Sequence, residues 1–234
     1  FKVADDYDKW RTIYFYVMKS DDDGESWSKP IDLTYLKKPD WDYLVASPGN
    51  GIQTKSGRLI MPTYSNRENL VINACQSVYS DDHGKTWEIG NTVGKYHVEP
   101  QIVELEDGTL MMNMRQVKQK GHRMYTLSTD GGVNWSEPVD ETALPEPGFG
   151  CMASFIRLSA IKDGDSKNRI LFSNPASIKG RENMTIRISY DEGKTWQYGK
   201  VLFTGPSGYS SLTVLPDGSV GIFYETGEKS LLEK

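Results

Sequence analysis

Apolar and polar positions alternate along this chain in short runs, and the runs come in pairs. Residues 13–18, 75–79, 124–127 and 184–188 are apolar and extended in character. Each meets a polar turn followed by a second extended stretch, the pattern of a β-hairpin. Further strands are predicted at 59–64, 69–79, 101–104, 109–115, 170–173, 212–215 and 220–224. Glu106-Asp107-Gly108 and Pro216-Asp217-Gly218 serve as hairpin turns among them. Residues 31–50, 88–100, 140–150 and 162–168 read as connections. An apolar period of 3.6 residues persists nowhere, and no linker divides the chain, so residues 1–234 read as a single all-β domain.

The four polar turns are copies of one sentence, Ser-x-Asp-x-Gly-x-x-Trp, at residues 20–27, 80–87, 128–135 and 189–196. Glycine takes a positive φ in the turn, and aspartate and serine accept from or donate to turn backbone. The tryptophan is placed to bury its ring between neighbouring units. Four of the 6 tryptophans occupy this slot. The serines fall at 20, 80, 128 and 189, so the spacings are 60, 48 and 61 residues. Repeats of that length with a few short strands each are the signature of a β-propeller, with about four units in this chain.

Composition narrows the partners. With 22 glycines and 11 prolines the chain suits a turn-rich β protein. A net charge of −5 argues against nucleic acid or an acidic membrane surface as partner. No apolar run approaches the length of a membrane-spanning helix. His83, His97 and His122 are scattered, and no cysteine–histidine cluster suggests a metal; no cofactor motif is present. Cys75 and Cys151 read as buried free thiols rather than a disulfide.

Several ordered segments between the boxes resemble those of the sialidases (neuraminidases), whose repeats are known as Asp-boxes. Val98-Glu99-Pro100-Gln101-Ile102 is similar to the segment holding a catalytic glutamate. Asn113-Met114-Arg115 resembles that of the second arginine of a carboxylate-binding triad, and Ser173-Asn174-Pro175 with Arg181-Glu182-Asn183 that of the third. Gly208-Tyr209-Ser210-Ser211 resembles the segment of a nucleophilic tyrosine, and Tyr224-Glu225 closes that unit. Pro48-Gly49-Asn50-Gly51-Ile52-Gln53 is similar to a loop on the substrate face. The resemblance implies a six-bladed propeller, of which about four blades fall in this chain. It implies an exo-α-sialidase, secreted, periplasmic or at the cell surface, acting on sialylated glycans with retention through a tyrosyl intermediate. The other readings open on the same residues are a trans-sialidase or intramolecular variant and a non-catalytic glycan-binding propeller.

The chemistry suits the residue types. Sialic acid carries a carboxylate on its anomeric carbon, which repels an anionic nucleophile but not a neutral phenol. A phenol with a pKa near 10 then needs a base, and the implied pair is Tyr209 with Glu99. Planar guanidiniums, here Arg115 and Arg181, hold a carboxylate in bidentate fashion. Gln53 and Tyr64 are implied as pocket-lining residues, and Glu225 as a guanidinium's orienting partner. Each has an ordinary reading as well: a strand-end tyrosine, a solvated carboxylate, a surface arginine with a buried stem, a turn cap. The family's Arg-Ile-Pro motif, with its first arginine, does not occur here. Asp8 stands at a plausible spacing for the acid/base aspartate. A ring of six such units needs roughly 340 residues, so the expectation is a fragment with most of the remainder N-terminal. Such a fragment would be a poor catalyst alone.

Overall fold

The computed structural model describes residues 13–67, 72–118 and 120–230; Asp8 lies outside them. All regular structure among these residues is β, apart from two short 3-10 turns at Thr34–Leu36 and Ile161–Asp163. Strands β1 (Tyr16–Val17) and β2 (Ile31–Asp32) pair as a small first sheet. The second contains β3 (Trp41–Ala46), β5 (Leu59–Arg67), β6 (Ile72–Ser80) and β7 (Glu88–Ile89) in that order, with β4 (Ile52–Gln53) also on β5. The third is β8 (His97–Glu104), β9 (Leu110–Gln116), β10 (His122–Ser128) and β11 (Val139–Pro145). The fourth is β12 (Ser154–Ser159), β13 (Arg169–Pro175), β14 (Glu182–Ser189) and the first half of β15 (Gln197–Val214). From Ser207 onward β15 pairs instead with β16 (Val220–Thr226), so one continuous strand serves two neighbouring sheets.

Every pairing is antiparallel and follows chain order, and successive sheets stack face to face in a propeller-like arrangement. Three apolar clusters fill the gaps. Phe15, Leu33, Leu44 and Trp87 lie between the first and second sheets. Ile60, Tyr79, Ile102, Leu110, Met112 and Met114 lie between the second and third. Met111, Phe155, Ile170 and Phe172 lie between the third and fourth. The period of two explains β9: Leu110, Met112 and Met114 face one neighbour while Met111 faces the other, so the strand is buried on both sides.

The four box turns are superimposable in their chemistry. In each, the serine hydroxyl donates to the aspartate at 2.8 Å. The glycine N–H donates back to that hydroxyl at 2.8–2.9 Å. The residue before tryptophan donates twice to the carboxylate, once from its backbone N–H and once from its side chain. That residue is Ser26, Thr86, Asn134 or Thr195, a polar slot that the sequence frame left blank. Two consecutive left-handed residues close each turn, as at His83 (φ 59°) and Gly84 (φ 85°). The hydrogen bonds from Ser26 and Ser20 hold the Asp22 carboxyl down to about 2. The tryptophan slot is not uniform: Trp87 is 7 % exposed and packed between sheets, whereas Trp27 is 59 % exposed.

Arginine ties link the sheets at this rim. Arg58 grips Asp81 through two bonds of 2.7 Å and donates to Gly131 O of the next box. Arg157 does the same with Glu192 and Glu104 O.

Several expectations need correction. Residues 88–100, read as connection, hold β7 and the first half of β8. Residues 41–46, read as connection, form the inner strand β3, and the inner strand β12 had no counterpart at all. Residues 139–145, read mostly as loop, form β11; Pro145 sits at the last residue of a sheet-edge strand, where a missing N–H is tolerated. Both cysteines are buried free thiols, as read.

Candidate active site

The β8–β9, β10–β11 and β14–β15 connections, the last two being box turns, lie at one end of the sheets. The β9–β10 and β13–β14 connections, with the starts of β8, β12 and the second half of β15, lie at the other. Glu99, Arg115, Arg181 and Tyr209 all belong to this second end.

Local irregularity aims Glu99. The β8–β9 register jumps between Val98 and Gln101, leaving Glu99 and Pro100 without partners in a β-bulge. Glu99 itself takes φ 46°, which breaks the strand's alternation, and proline suits a position that offers no ladder N–H. Gln101 then re-enters the sheet and donates to Pro48 O at 2.6 Å, fastening the Ser47–Gly51 loop. A Cβ on Gly49 (φ 121°) would stand 2.5 Å from the Gln101 amide, so this contact requires glycine. Asn50 in turn reaches Leu212 O at 3.5 Å, so the loop spans between the inner strands rather than lying on the mouth.

The Tyr209 hydroxyl donates a short hydrogen bond to Glu99 Oε1. Arg115 Nη1 donates to Glu99 Oε2 at 2.7 Å and lies 3.4 Å from the Tyr209 oxygen. Its Nε donates to Phe149 O at 2.9 Å. Arg181 is exposed; its guanidinium sits 5.8 Å from the centre of the Tyr209 ring and has no carboxylate partner among the described residues. Burial, then the hydrogen bond and charge of Glu99, push the phenol well above its usual pKa, so Tyr209 is protonated at neutral pH. Burial pulls the Arg115 guanidinium down and the Glu99 charge more than offsets it.

Tyr64 joins this group. It makes an edge contact with Tyr43 at 6.0 Å, and burial followed by the Glu99 charge raises its pKa. Tyr43, pushed up to about 12 by burial, lies on β3, a stretch whose sequence reads as connection and so carries no signal for it. Glu225 is adjacent, but it accepts the Tyr209 backbone N–H at 2.8 Å from across the β15–β16 ladder instead of orienting a guanidinium. Gln53 does not belong to the group. It pairs with Leu59 at the box end, donates to Gly57 O at 3.3 Å, and lines a cavity of about 460 Å³ with Glu104 and Arg157.

Beneath Arg115 lies a buried ion pair that the sequence did not suggest. Arg123 (0 % exposed) meets Glu146 (1 % exposed) at 3.0 Å. Arg123 also donates to Asn113 Oδ1 at 2.8 Å and Cys151 O at 2.7 Å, while Glu146 Oε1 accepts the Gln116 N–H at 2.9 Å. The node clamps the loop after β11 to the strand that carries Arg115.

Among the described residues no group of three or more histidine, cysteine or acidic side chains is arranged to hold a metal. What the cluster can do is take a proton from a phenol while presenting guanidinium groups to an anion.

A family model described as a BNR repeat-like domain matches residues 1–222. A sialidase of Bacteroides fragilis is 39% identical over 220 residues, covering 92% of this chain and 40% of the relative. Among solved structures, a Hadza microbial sialidase superposes with a TM-score of 0.82 at 40% identity, covering 90% of this chain and 41% of that one. The intramolecular trans-sialidase from Ruminococcus gnavus gives 0.76 at 34% identity, covering 90% and 45%. The chain thus spans less than half the length of these relatives.

Proposed function

The chain belongs to the sialidase family, and from that premise we propose that it carries the nucleophile and carboxylate-binding side of an exo-α-sialidase centre. The reaction is release of terminal sialic acid from sialylated glycans with retention, through a covalent tyrosyl intermediate. The observation that carries this reading is the Tyr209–Glu99–Arg115 contact.

Arg115 and Arg181 engage the substrate carboxylate and set the anomeric carbon over the Tyr209 oxygen. The phenol is neutral in the resting site, so the nucleophile itself presents no like charge to the anionic substrate, and Arg115 offsets the charge of Glu99. As the phenol oxygen bonds the anomeric carbon, its proton passes to Glu99 and the bond to the aglycone oxygen breaks. That leaving oxygen takes its proton from an acid outside the group assigned here. Water then attacks the anomeric carbon and gives its proton to the conjugate base of that outside acid, the carbon–tyrosine bond breaks, and Glu99 returns the proton to Tyr209. Such a protein acts on glycans outside the cytoplasm, which is the location we propose. The exposed apolar faces of the first and last sheets, with Trp27 at 59 % and Phe223 at 82 % exposure, favour further sheets closing a ring of six.

The test is Tyr209→Phe in the full-length protein. Turnover of an aryl sialoside should be abolished while binding of sialic acid survives, because binding rests on the arginines. Full activity in this variant would rule out the tyrosyl mechanism. A second reading, intramolecular trans-sialidase, draws on the 34% identity to the Ruminococcus gnavus enzyme. The product separates the two: free sialic acid for hydrolysis, an anhydro sugar for intramolecular transfer.

A further inference from the structure

Phe149 runs against two ordinary preferences at once. Its backbone takes φ 59°, a left-handed conformation that is a genuine outlier for a bulky aromatic residue. The residue is 61 % exposed, and its ring belongs to none of the apolar clusters. The loop holding it is nevertheless fixed. Gly150 N–H donates to Pro147 O at 2.8 Å, and Glu146 N–H to Gly121 O at 3.1 Å. A Cβ on Gly150 would meet Arg115 Cγ at 2.6 Å and Gln116 O at 2.8 Å, so the loop lies tight against the arginine strand. The Phe149 carbonyl accepts from Arg115 Nε at 2.9 Å. That carbonyl explains the backbone conformation, which glycine would supply without strain. It does not explain the ring.

We propose that the Phe149 ring is a specificity platform for the sugar directly linked to sialic acid. The proposal rests on the sialidase reading above and deepens it. The anomeric carbon of a sialoside bears the carboxylate and the aglycone oxygen together. A side chain beside the arginine that holds the carboxylate is therefore beside the start of the aglycone. An exposed, flat apolar ring can offer a face to the C–H patch of a pyranose. Phe149 is held rigid by its loop, so the contact needs little ordering on binding.

The experiment uses the full-length protein with Phe149→Gly and Phe149→Tyr. Glycine keeps the carbonyl for Arg115 and accepts the left-handed backbone; tyrosine keeps the ring. Two probes are measured: kcat/KM for a sialyl trisaccharide, and the inhibition constant of the unsaturated sialic acid glycal, which has no aglycone. Phe149→Gly should lower kcat/KM for the trisaccharide by about tenfold, the scale of one lost aromatic contact, with glycal inhibition unchanged within about twofold. Phe149→Tyr should match the wild type. Parallel weakening of glycal and trisaccharide would overturn the proposal, since the ring would then act through Arg115 or the sialic acid itself. So would an unchanged trisaccharide kcat/KM in Phe149→Gly. A wild-type protein inert toward every sialoside would overturn the functional reading underneath, a result distinct from either.

Discussion

Replacing Arg123 by methionine isolates what the buried ion pair contributes. The side chain is wholly enclosed, and the substitution removes its bonds to Glu146, Asn113 and Cys151 O. Methionine fills a similar volume, so the loss is mainly electrostatic. Breaking a buried pair by removing one partner costs about 3–5 kcal/mol, because a charge is left without compensation. Glu146 has an escape by taking up a proton. Burial already raises its pKa, with Arg123 opposing, and in the variant that opposition is gone. A carboxyl whose folded pKa lies above its unfolded value contributes most to stability below the unfolded pKa, and loses it as pH rises through the folded one. The deficit of Arg123→Met should therefore be largest at pH 7 and shrink toward pH 4. Adding Glu146→Gln removes the charge and keeps an acceptor for the Gln116 N–H. The double variant should recover most of the loss at pH 7. Equilibrium urea denaturation at several pH values gives the free energies. A single-variant deficit below about 1 kcal/mol, or no rescue by Glu146→Gln, would refute the reasoning.

Three other outcomes follow from the same structure. Trp87→Ala should destabilise by about 3–5 kcal/mol, since the ring is buried between two sheets; an unchanged denaturant midpoint would deny it that role. Burial holds the His97 imidazole at about 4, so it is neutral when folded. Unfolding then takes up a proton below about pH 6.5, and stability should fall by about 3 kcal/mol between there and pH 4. His97→Gln should flatten that part of the stability–pH curve relative to wild type. Arg181→Lys should weaken binding of a sialic acid glycal, because a planar fork becomes a point charge; unchanged inhibition would remove Arg181 from the carboxylate site.

Turn chemistry is local, which is why the boxes and their hairpins were legible from residue types alone. The inner strands were not. Trp41–Ala46 and Ser154–Ser159 have no box of their own, and their edges become visible only through the sheets they join. At the site, Glu99, Arg115, Arg181 and Tyr209 stood out because each sits in a recognisable segment. The bulge that aims Glu99 left only a proline as its trace. Gln53 was misplaced because a loop crossing between inner strands leads to a residue at the opposite end. Nothing in sequence marks Arg123 and Glu146, 23 residues apart, as partners, nor a phenylalanine in a left-handed conformation.

The strand Gln197–Val214 changes what counts as a unit in this molecule. Box to box, the chain repeats; sheet by sheet, the fold repeats; the two periods are out of step by one strand. One box-to-box stretch taken alone therefore holds the outer strand of one sheet and the inner strands of the next. Sheets joined this way have no natural seam between them, and the weakest places to part them are the exposed turns. A nick at Asp217–Gly218 would leave β15 whole, whereas one at Pro206–Ser207 would uncouple the fourth sheet from the strand that carries Tyr209. Sequence repeat and sheet thus divide the same polypeptide at different points, and the tyrosine stands almost on the offset.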